Sequence, residues 1–270
     1  MCGIIAAAST RNVGKLLVQG LHRMEYRGYD SAGIALHQLD GVAHLRTLGK
    51  VQLLEDKMVK EKPRSKLGIA HTRWATHGEP SETNAHPHKS NDEVFIVHNG
   101  IIENHLELKA ELEKEGYSFA SQTDSEIIAH LLDFNLKQGM TMIEAMFASK
   151  EKLDGAYAIA AMHRDDESKL VIARQKSPLL IGLGTDEVFA ASDPLAISQL
   201  TNDFIFLEDG DVAEISADSY KIFDAVDSEA SREVSRIDIS SQATSKGEYR
   251  HFMEKEIYEQ PDALLNTIDG

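Results

Sequence analysis

Apolar residues in the first third of the chain recur with two different periods. Residues 2–9 form a short apolar run closed by Thr10-Arg11-Asn12, which predicts a buried strand. Val13, Leu16, Leu17, Leu21 and Met24 then fall at helical spacing. Residues 32–39 and 42–48, separated by Asp40-Gly41, predict a hairpin with a tight turn. Leu53, Leu54, Met58 and Val59 predict another helix, closed by Pro63. Residues 67–72 and 94–98 are two more strand candidates. The polar stretch RWATHGEPSETNAHPHKSNDE between them has two prolines and no periodicity. A loop of that length in a compact domain is usually functional or disordered.

Residues 104–115 read as a helix. Thr123 with Glu126 has the capping-box pattern and predicts a helix from there to about 137, ended by Gly139; Thr141 with Glu144 starts the next. Beyond Gly155 the texture changes to short strands, at residues 157–162, 170–173, 179–183, 188–191, 204–207, 212–215 and 220–223, with one helix at 193–199. Strands and helices in grouped runs indicate an antiparallel α+β layer structure, not regular βαβ winding. Residues 226–246 are polar and Ser-rich and read as a linker. A short helix at 249–260 follows, stopped by Pro261, and no internal repeat is evident.

Composition narrows the function classes. The 270 residues suffice for one large domain or two small ones. Lys plus Arg number 28 against 44 Asp plus Glu, a formal charge of −16 that repels phosphate backbones and anionic lipid. No nucleic-acid or membrane role is therefore expected. No apolar run approaches the ~20 residues that cross a bilayer, and MCGIIAAASTRN lacks the form of a secretory leader, so cytoplasmic residence is expected. A single cysteine excludes an internal disulfide and argues against a Cys-based zinc site.

A lone cysteine is more often an inert buried residue than a nucleophile. Position 2 changes those odds, because removal of Met1 would leave Cys2 with a free α-amine beside its thiol. That amine, with a pKa of about 7.7–8.0, can take the thiol proton. The alternative is a small residue starting a strand. Asn99 and Gly100, at the end of an apolar strand, offer an amide NH₂ and a backbone N–H that could hold an oxyanion; a plain strand-to-turn Asn-Gly is the simpler reading. Arg73 could bind a carboxylate, or form a surface salt bridge. Asp124 could hold an ammonium group, or merely cap its helix. His71, His77, His86, His88 and His98 suggest a metal, but no HExxH helix is present, and a metal hydrolase is the lesser alternative.

The order of these segments says more than any one of them. Met1-Cys2-Gly3-Ile4, Tyr26-Arg27-Gly28-Tyr29-Asp30-Ser31-Ala32-Gly33, His71-Thr72-Arg73-Trp74-Ala75-Thr76-His77-Gly78, His98-Asn99-Gly100 and Thr123-Asp124-Ser125-Glu126 follow one another in the pattern of a known family. The chain resembles the class II glutamine amidotransferases, which are N-terminal nucleophile hydrolases, from Cys2 to about Pro261. The resemblance implies an α+β fold, a four-layer αββα sandwich of two antiparallel sheets. It implies that Cys2 is the nucleophile with its own amine as base, and that Arg27 positions the N-terminal residue and neighbouring loops. Arg73 would bind the α-carboxylate of glutamine, with Thr76 and His77 shaping that side. Asp124 would bind the α-amine together with the Gly100 backbone, and Asn99 and Gly100 would form the oxyanion hole. Trp74 would belong to a mobile loop that covers glutamine and guards the ammonia path. His86 matches a family position to which no role is assigned. Ala6-Ala7-Ala8 departs from the family, whose members often carry glycine there, in a strand away from the matched motifs.

Within that class, GIAHTRWATHGEPSETNAHPH, VHNGIIENH and YRHFMEKEIYEQP resemble the branch whose second half holds two sugar-isomerase-type subdomains that bind fructose 6-phosphate. The amidotransferase domain is then expected at residues 2–225. Residues 226–270 would be a polar linker and short helix leading to a sugar-isomerase half outside this chain. The expected reaction is hydrolysis of L-glutamine to glutamate and ammonia through a thioester at Cys2. In the parent protein, expected to be a homodimer, the ammonia would convert fructose 6-phosphate to glucosamine 6-phosphate for amino-sugar synthesis. No cofactor and no metal are expected. A same-class enzyme with another acceptor and a non-catalytic glutamine-binding domain stay open as alternatives.

Overall fold

The computed structural model describes residues 2–75 and 78–238 and, beyond them, residues 249, 253–255, 257, 258, 260, 261 and 264. Strand β1 (Gly3–Ser9) leads into helix α1 (Gly14–Arg23), the hairpin β2 (Ser31–Gln38) and β3 (Gly41–Leu48), helix α2 (Val51–Glu61) and strand β4 (Leu67–Arg73). A short β5 (His88–Ser90) and the long β6 (Val94–Ile102) follow, then three helices: α3 (His105–Lys114), α4 (Glu126–Lys137) and α5 (Met142–Lys150). The remainder is mostly strand: β7 (Gly155–His163), β8 (Leu170–Gln175), β9 (Leu180–Leu183), β10 (Glu187–Ala191), β11 (Asp203–Phe206), β12 (Val212–Ile215), β13 (Tyr220–Phe223), β14 (Glu229–Ala230) and β15 (Val234–Arg236).

Among the described residues these strands form two sheets with antiparallel pairing throughout. One runs β15-β11-β9-β10-β1-β4-β2-β3 and the other β14-β13-β12-β8-β7-β6-β5. Period-2 alternation decides what each strand gives to which layer. Ile4, Ala6 and Ala8 of β1 join Leu67 and Ile69 of β4, Phe95 and Val97 of β6, and Ala158, Ala160 and Met162 of β7 in a core between the sheets. The opposite faces of β6 and β7, including Ile96, Ile159 and Ala161, pack against Ile127, Ile128, Leu131 and Leu132 of α4 and Ala145 and Met146 of α5. Helices α1 and α2 cover the outer face of the first sheet, α1 lying on β1 and β4. The layers are thus helix, sheet, sheet, helix, the α+β sandwich expected. Each fully buried Ile or Phe contributes roughly 1.5–3 kcal/mol to that core.

The α1 face comes very close to β1. A methyl group on Gly20 would stand 2.2 Å from Ile5 Cδ1 and 3.0 Å from the Ala196 carbonyl oxygen. Gly20→Ala is therefore expected to destabilise the fold by about 1–3 kcal/mol despite its better helix propensity, which a urea titration would register as a lower midpoint.

Several segments differ from the sequence expectation. The helix expected at 193–199 is a single 3-10 turn, Pro194–Ala196. Asp193 caps it by accepting from Leu195 N–H at 2.9 Å, and the backbone leaves helical geometry at Ile197. Residues 226–236, read as linker, carry the two short strands β14 and β15, which pair with β13 and β11. Residues up to Ile237 form one compact unit and residues 238–270 a second. The second unit is helical at its described positions from 253 to 264, Pro261 included, so Pro261 does not stop that helix.

Candidate active site

Cys2 stands at the mouth of a cavity of about 420 Å³, immediately before β1. Pairing of β1 with β4 sets Gly3 opposite Thr72, which brings the thiol to the end of β4. There the Trp74 N–H donates to Cys2 Sγ at 3.2 Å, and the Trp74 carbonyl oxygen lies 3.5 Å from the same sulfur. Burial pushes the thiol up from its ordinary value, against the opposing pull of the Trp74 N–H and of Arg73. A thiol in that state needs a base to become a nucleophile.

Asn99 and Gly100 reach the same cavity from the other sheet, near the end of β6. The Asn99 side-chain Nδ2 donates to the Cys2 carbonyl oxygen at 3.3 Å. His71, on β4, approaches from behind, its Nε2 2.9 Å from Asn99 Oδ1 and 3.0 Å from the His98 carbonyl oxygen. Gly100 adopts φ +134, and a methyl group there would fall 1.9 Å from the Ala156 carbonyl oxygen of β7. Only glycine fits that backbone.

Arg73 ends β4 and is buried. Its Nη2 donates to the Gly78 carbonyl oxygen at 3.3 Å, and its Nη1 lies 3.7 Å from Asp30 Oδ1. Asp30 also accepts from Ser31 Oγ at 2.9 Å and from the Ala75 N–H, so one carboxylate ties the strand end to the segment after it. Asp124 lines the cavity and is buried as well. The Ile102 N–H donates to its Oδ2 at 2.7 Å, pinning it to the end of β6 two residues beyond Gly100. A guanidinium and a carboxylate, both withdrawn from solvent, thus share the cavity that holds the thiol.

The capping box expected at Thr123 and Glu126 does not form. Helix α4 begins at Glu126 with Ser125 at its N-cap position and no side-chain cap. The Glu126 carboxylate instead accepts from the Ala120 and Ser121 N–H groups at 2.9 and 2.7 Å, and Thr123 Oγ1 pairs with His88 Nε2 at 3.0 Å. Tertiary partners outcompete the local cap. Thr141 and Glu144, by contrast, do form a capping box at the start of α5.

Arg27 closes another side of the cavity. It is ion-paired with Asp193, and Tyr26 donates to the same carboxylate at 2.6 Å. Asp193 is a residue that sequence reasoning missed; it lies 166 positions from Arg27. Its one local signal is Pro194, which follows it at the start of the 3-10 turn. Trp74 is half-exposed at 53%, and its indole lies over the turn at Gly28, where φ is +74 and a Cβ would meet Trp74 Cζ3 at 2.5 Å. The structure thus brings together Cys2, Arg27, Arg73, Trp74, Asn99, Gly100 and Asp124. Thr76 and His77 lie outside the described residues.

The histidines form a buried stack. His86 lies on His71 with ring centroids 4.1 Å apart, His88 meets His86 edge-on at 4.5 Å, and His86 Nδ1 accepts from the His98 N–H at 3.3 Å. Burial lowers all four, His71 and His88 to about 3 and His86 well below the usual imidazole value, so the stack is neutral near pH 7. Among the described residues no three His, Cys, Asp or Glu side chains are grouped to hold a metal ion. No described helix is long and apolar enough to cross a membrane.

Known proteins share both the sequence and the fold of this chain. Residues 71–199 match the family described as glutamine amidotransferase domain. The whole chain is 51% identical to 44% of the length of glutamine–fructose-6-phosphate aminotransferase [isomerizing] from Vibrio parahaemolyticus, and the figures for the Escherichia coli enzyme are the same. The chain therefore spans less than half the length of the curated relatives it matches. Among solved structures, glutamine phosphoribosylpyrophosphate amidotransferase from B. subtilis superposes with a TM-score of 0.72 at 26% identity, over 83% of this chain and 49% of that one. A glutamine aminotransferase class-II domain protein from Silicibacter pomeroyi shares the fold at 17% identity, with a TM-score of 0.57, over 83% of this chain and 99% of that one. Residues 71–199 thus carry the signature of a glutamine amidotransferase domain, and over its whole length the chain is similar to the N-terminal region of the glutamine–fructose-6-phosphate aminotransferases.

Proposed function

We propose that this chain is a glutaminase, which hydrolyses the side-chain amide of L-glutamine to glutamate and ammonia. The observation that carries the reading is one cavity holding a thiol, two oxyanion donors and a buried pair of opposite charges. A zwitterionic amino acid fits that pair, its carboxylate on the two-pronged guanidinium of Arg73 and its ammonium on Asp124 and the Gly100 backbone. Its side-chain amide then extends toward Cys2.

Removal of Met1 frees the Cys2 α-amine, which takes the thiol proton as Sγ attacks the amide carbon. The oxyanion that forms is held by Asn99 Nδ2 and the Gly100 N–H. Collapse breaks the C–N bond, the amine returns its proton to the leaving nitrogen, and ammonia departs from a γ-glutamyl thioester. Water, deprotonated by the same amine, attacks that thioester and releases glutamate with the thiol restored. Arg27, tied to Asp193 and Tyr26, braces the N-terminal residue; Trp74 covers the bound amino acid, with Thr76 and His77 completing that side.

Residues 2–225, with the edge strands that follow, make the glutaminase. Residues 226–270 lead to a sugar-isomerase half in a longer, dimeric parent. There the ammonia converts fructose 6-phosphate to glucosamine 6-phosphate, a cytoplasmic step without nucleic-acid or membrane partners.

Glutamate release from glutamine, with Met1 removal confirmed by mass, tests the glutaminase. No release by correctly processed chain, even when joined to the sugar-isomerase half of a relative, would leave a glutamine-binding domain instead. Arg73→Ala should raise KM for glutamine by about 30- to 1000-fold, as expected for a charge-assisted pair worth ~2–4 kcal/mol. An unchanged KM would remove Arg73 from the binding role.

A further inference from the structure

Asn99 can serve as an oxyanion donor only if its NH₂, not its carbonyl oxygen, faces Cys2, since a side-chain amide fits either way round in the same space. The surroundings of His71 decide the matter. His71 Nε2 lies 3.0 Å from the His98 carbonyl oxygen, which can only accept a hydrogen bond. Nε2 therefore carries the hydrogen. The Asn99 atom 2.9 Å from that N–H must then be an acceptor, its Oδ1. Nδ2 is left on the opposite side, 3.3 Å from the Cys2 carbonyl oxygen and facing the cavity.

His71 belongs to β4 and Asn99 to β6, which are strands of different sheets. Cys2 precedes β1, the neighbour of β4. The packed core sets the spacing of the two sheets, and the His71–Asn99 bond adds a polar tie between them beside the nucleophile. We propose that His71 is a positioning residue for glutamine hydrolysis: its Nε2–H locks the Asn99 amide with the NH₂ toward the developing oxyanion and ties that donor to the sheet carrying Cys2. His86 supports the imidazole from its other face, stacked 4.1 Å away, and accepts the His98 N–H. His71 is wholly buried and does not line the cavity; it acts through Asn99.

The inference rests on the glutaminase reading, and its test separates the two. His71→Leu removes the donor, whereas His71→Gln keeps an N–H at similar reach. The γ-aldehyde of glutamate, which closes on the thiol to a tetrahedral adduct with an oxyanion, reports on the hole; glutamate itself reports on the rest of the site. His71→Leu is expected to lower kcat by about 10²- to 10³-fold with KM for glutamine within about threefold, the size of a lost oxyanion donor. Its affinity for the aldehyde should fall by a similar factor and its affinity for glutamate hardly at all, and His71→Gln should recover most of both losses. Unchanged kcat and aldehyde affinity in a folded His71→Leu, or equal losses for aldehyde and glutamate, would overturn the proposal. Should the Leu variant not fold, nitrogen NMR of the native protein decides it: an Nε2–H tautomer at His71 is required, and an Nδ1–H tautomer refutes it. Failure of the wild-type chain to hydrolyse glutamine or capture the aldehyde through Cys2 would instead sink the glutaminase reading itself.

Discussion

Cys2→Ala is expected to fold like the parent and to release glutamate at least about 10⁴-fold more slowly, the scale on which enzymes fail when the covalent nucleophile is removed. The side chain carries little structural weight. Its sulfur touches the Trp74 backbone at the cavity mouth, and the strand that follows is held by pairing with β4 and β10 and by the Ile4 N–H bond to Ser192 Oγ at 2.9 Å. Deleting the sulfur removes one weak contact and leaves the small residue at position 2 that Met1 removal requires. Glutamate release and a thermal melt on the same sample check both halves. Activity within tenfold of wild type would disprove the thioester route, while a collapsed melting temperature would show that the thiol was part of the scaffold.

Acid should weaken the fold well before its carboxylates titrate. Burial holds His44 near 4 and His71 near 3 in the folded protein, against about 6.5 in an unfolded chain. Because these folded values are depressed, the stability they report is complete above pH 6.5 and drains away as pH falls, since the unfolded chain takes protons that the native one refuses. At pH 5 each such histidine costs about 2 kcal/mol, and the figure barely depends on whether the folded value is 3 or 4. His44 and His71 together cost roughly 4 kcal/mol, a large share of the ~5–15 kcal/mol that holds a typical domain together. His86, also lowered by burial, works in the same direction. Urea unfolding at pH 7 and pH 5 measures this directly. A stability flat across that interval would mean that these rings are hydrated or already protonated in the folded state.

What could be read from the chain before any coordinates depended on the range over which each signal acts. Helices α1 and α2 announce themselves through the period of one buried face, and the hairpin β2–β3 and strands β4, β6 and β7 through short apolar runs bounded by turn or polar residues. Cys2, Arg73, Asn99 and Asp124 each had a chemical use at the end of a predicted element, but it was the order of their segments, matching a known family, that singled them out as candidates. Asp193 was not, because its tie to Arg27 spans most of the chain. The histidine stack was seen as a group of residues but not as an arrangement: four rings from β4, β5, β6 and the loop before β5 meet only when two sheets face each other. Thr123 and Glu126 misled for the opposite reason. Their spacing fits a local cap, but His88 and the 120–121 backbone offered better partners.

The triple alanine of β1 takes on another meaning once the sheets are in view. Ala6 and Ala8 point into the layer between them and share its core with Ala158 and Ala160 of β7, and Ala158 stands beside Asn99 in the strand register. Methyl-sized side chains at these places act as shims. They set the gauge between two plates, one bearing the thiol and the other its amide donor, and a gap of that kind is altered by adding atoms as readily as by removing them. The separation of thiol and amide donor therefore has a dimension, the thickness of the layer between the plates, that the residues lining the cavity do not set by themselves.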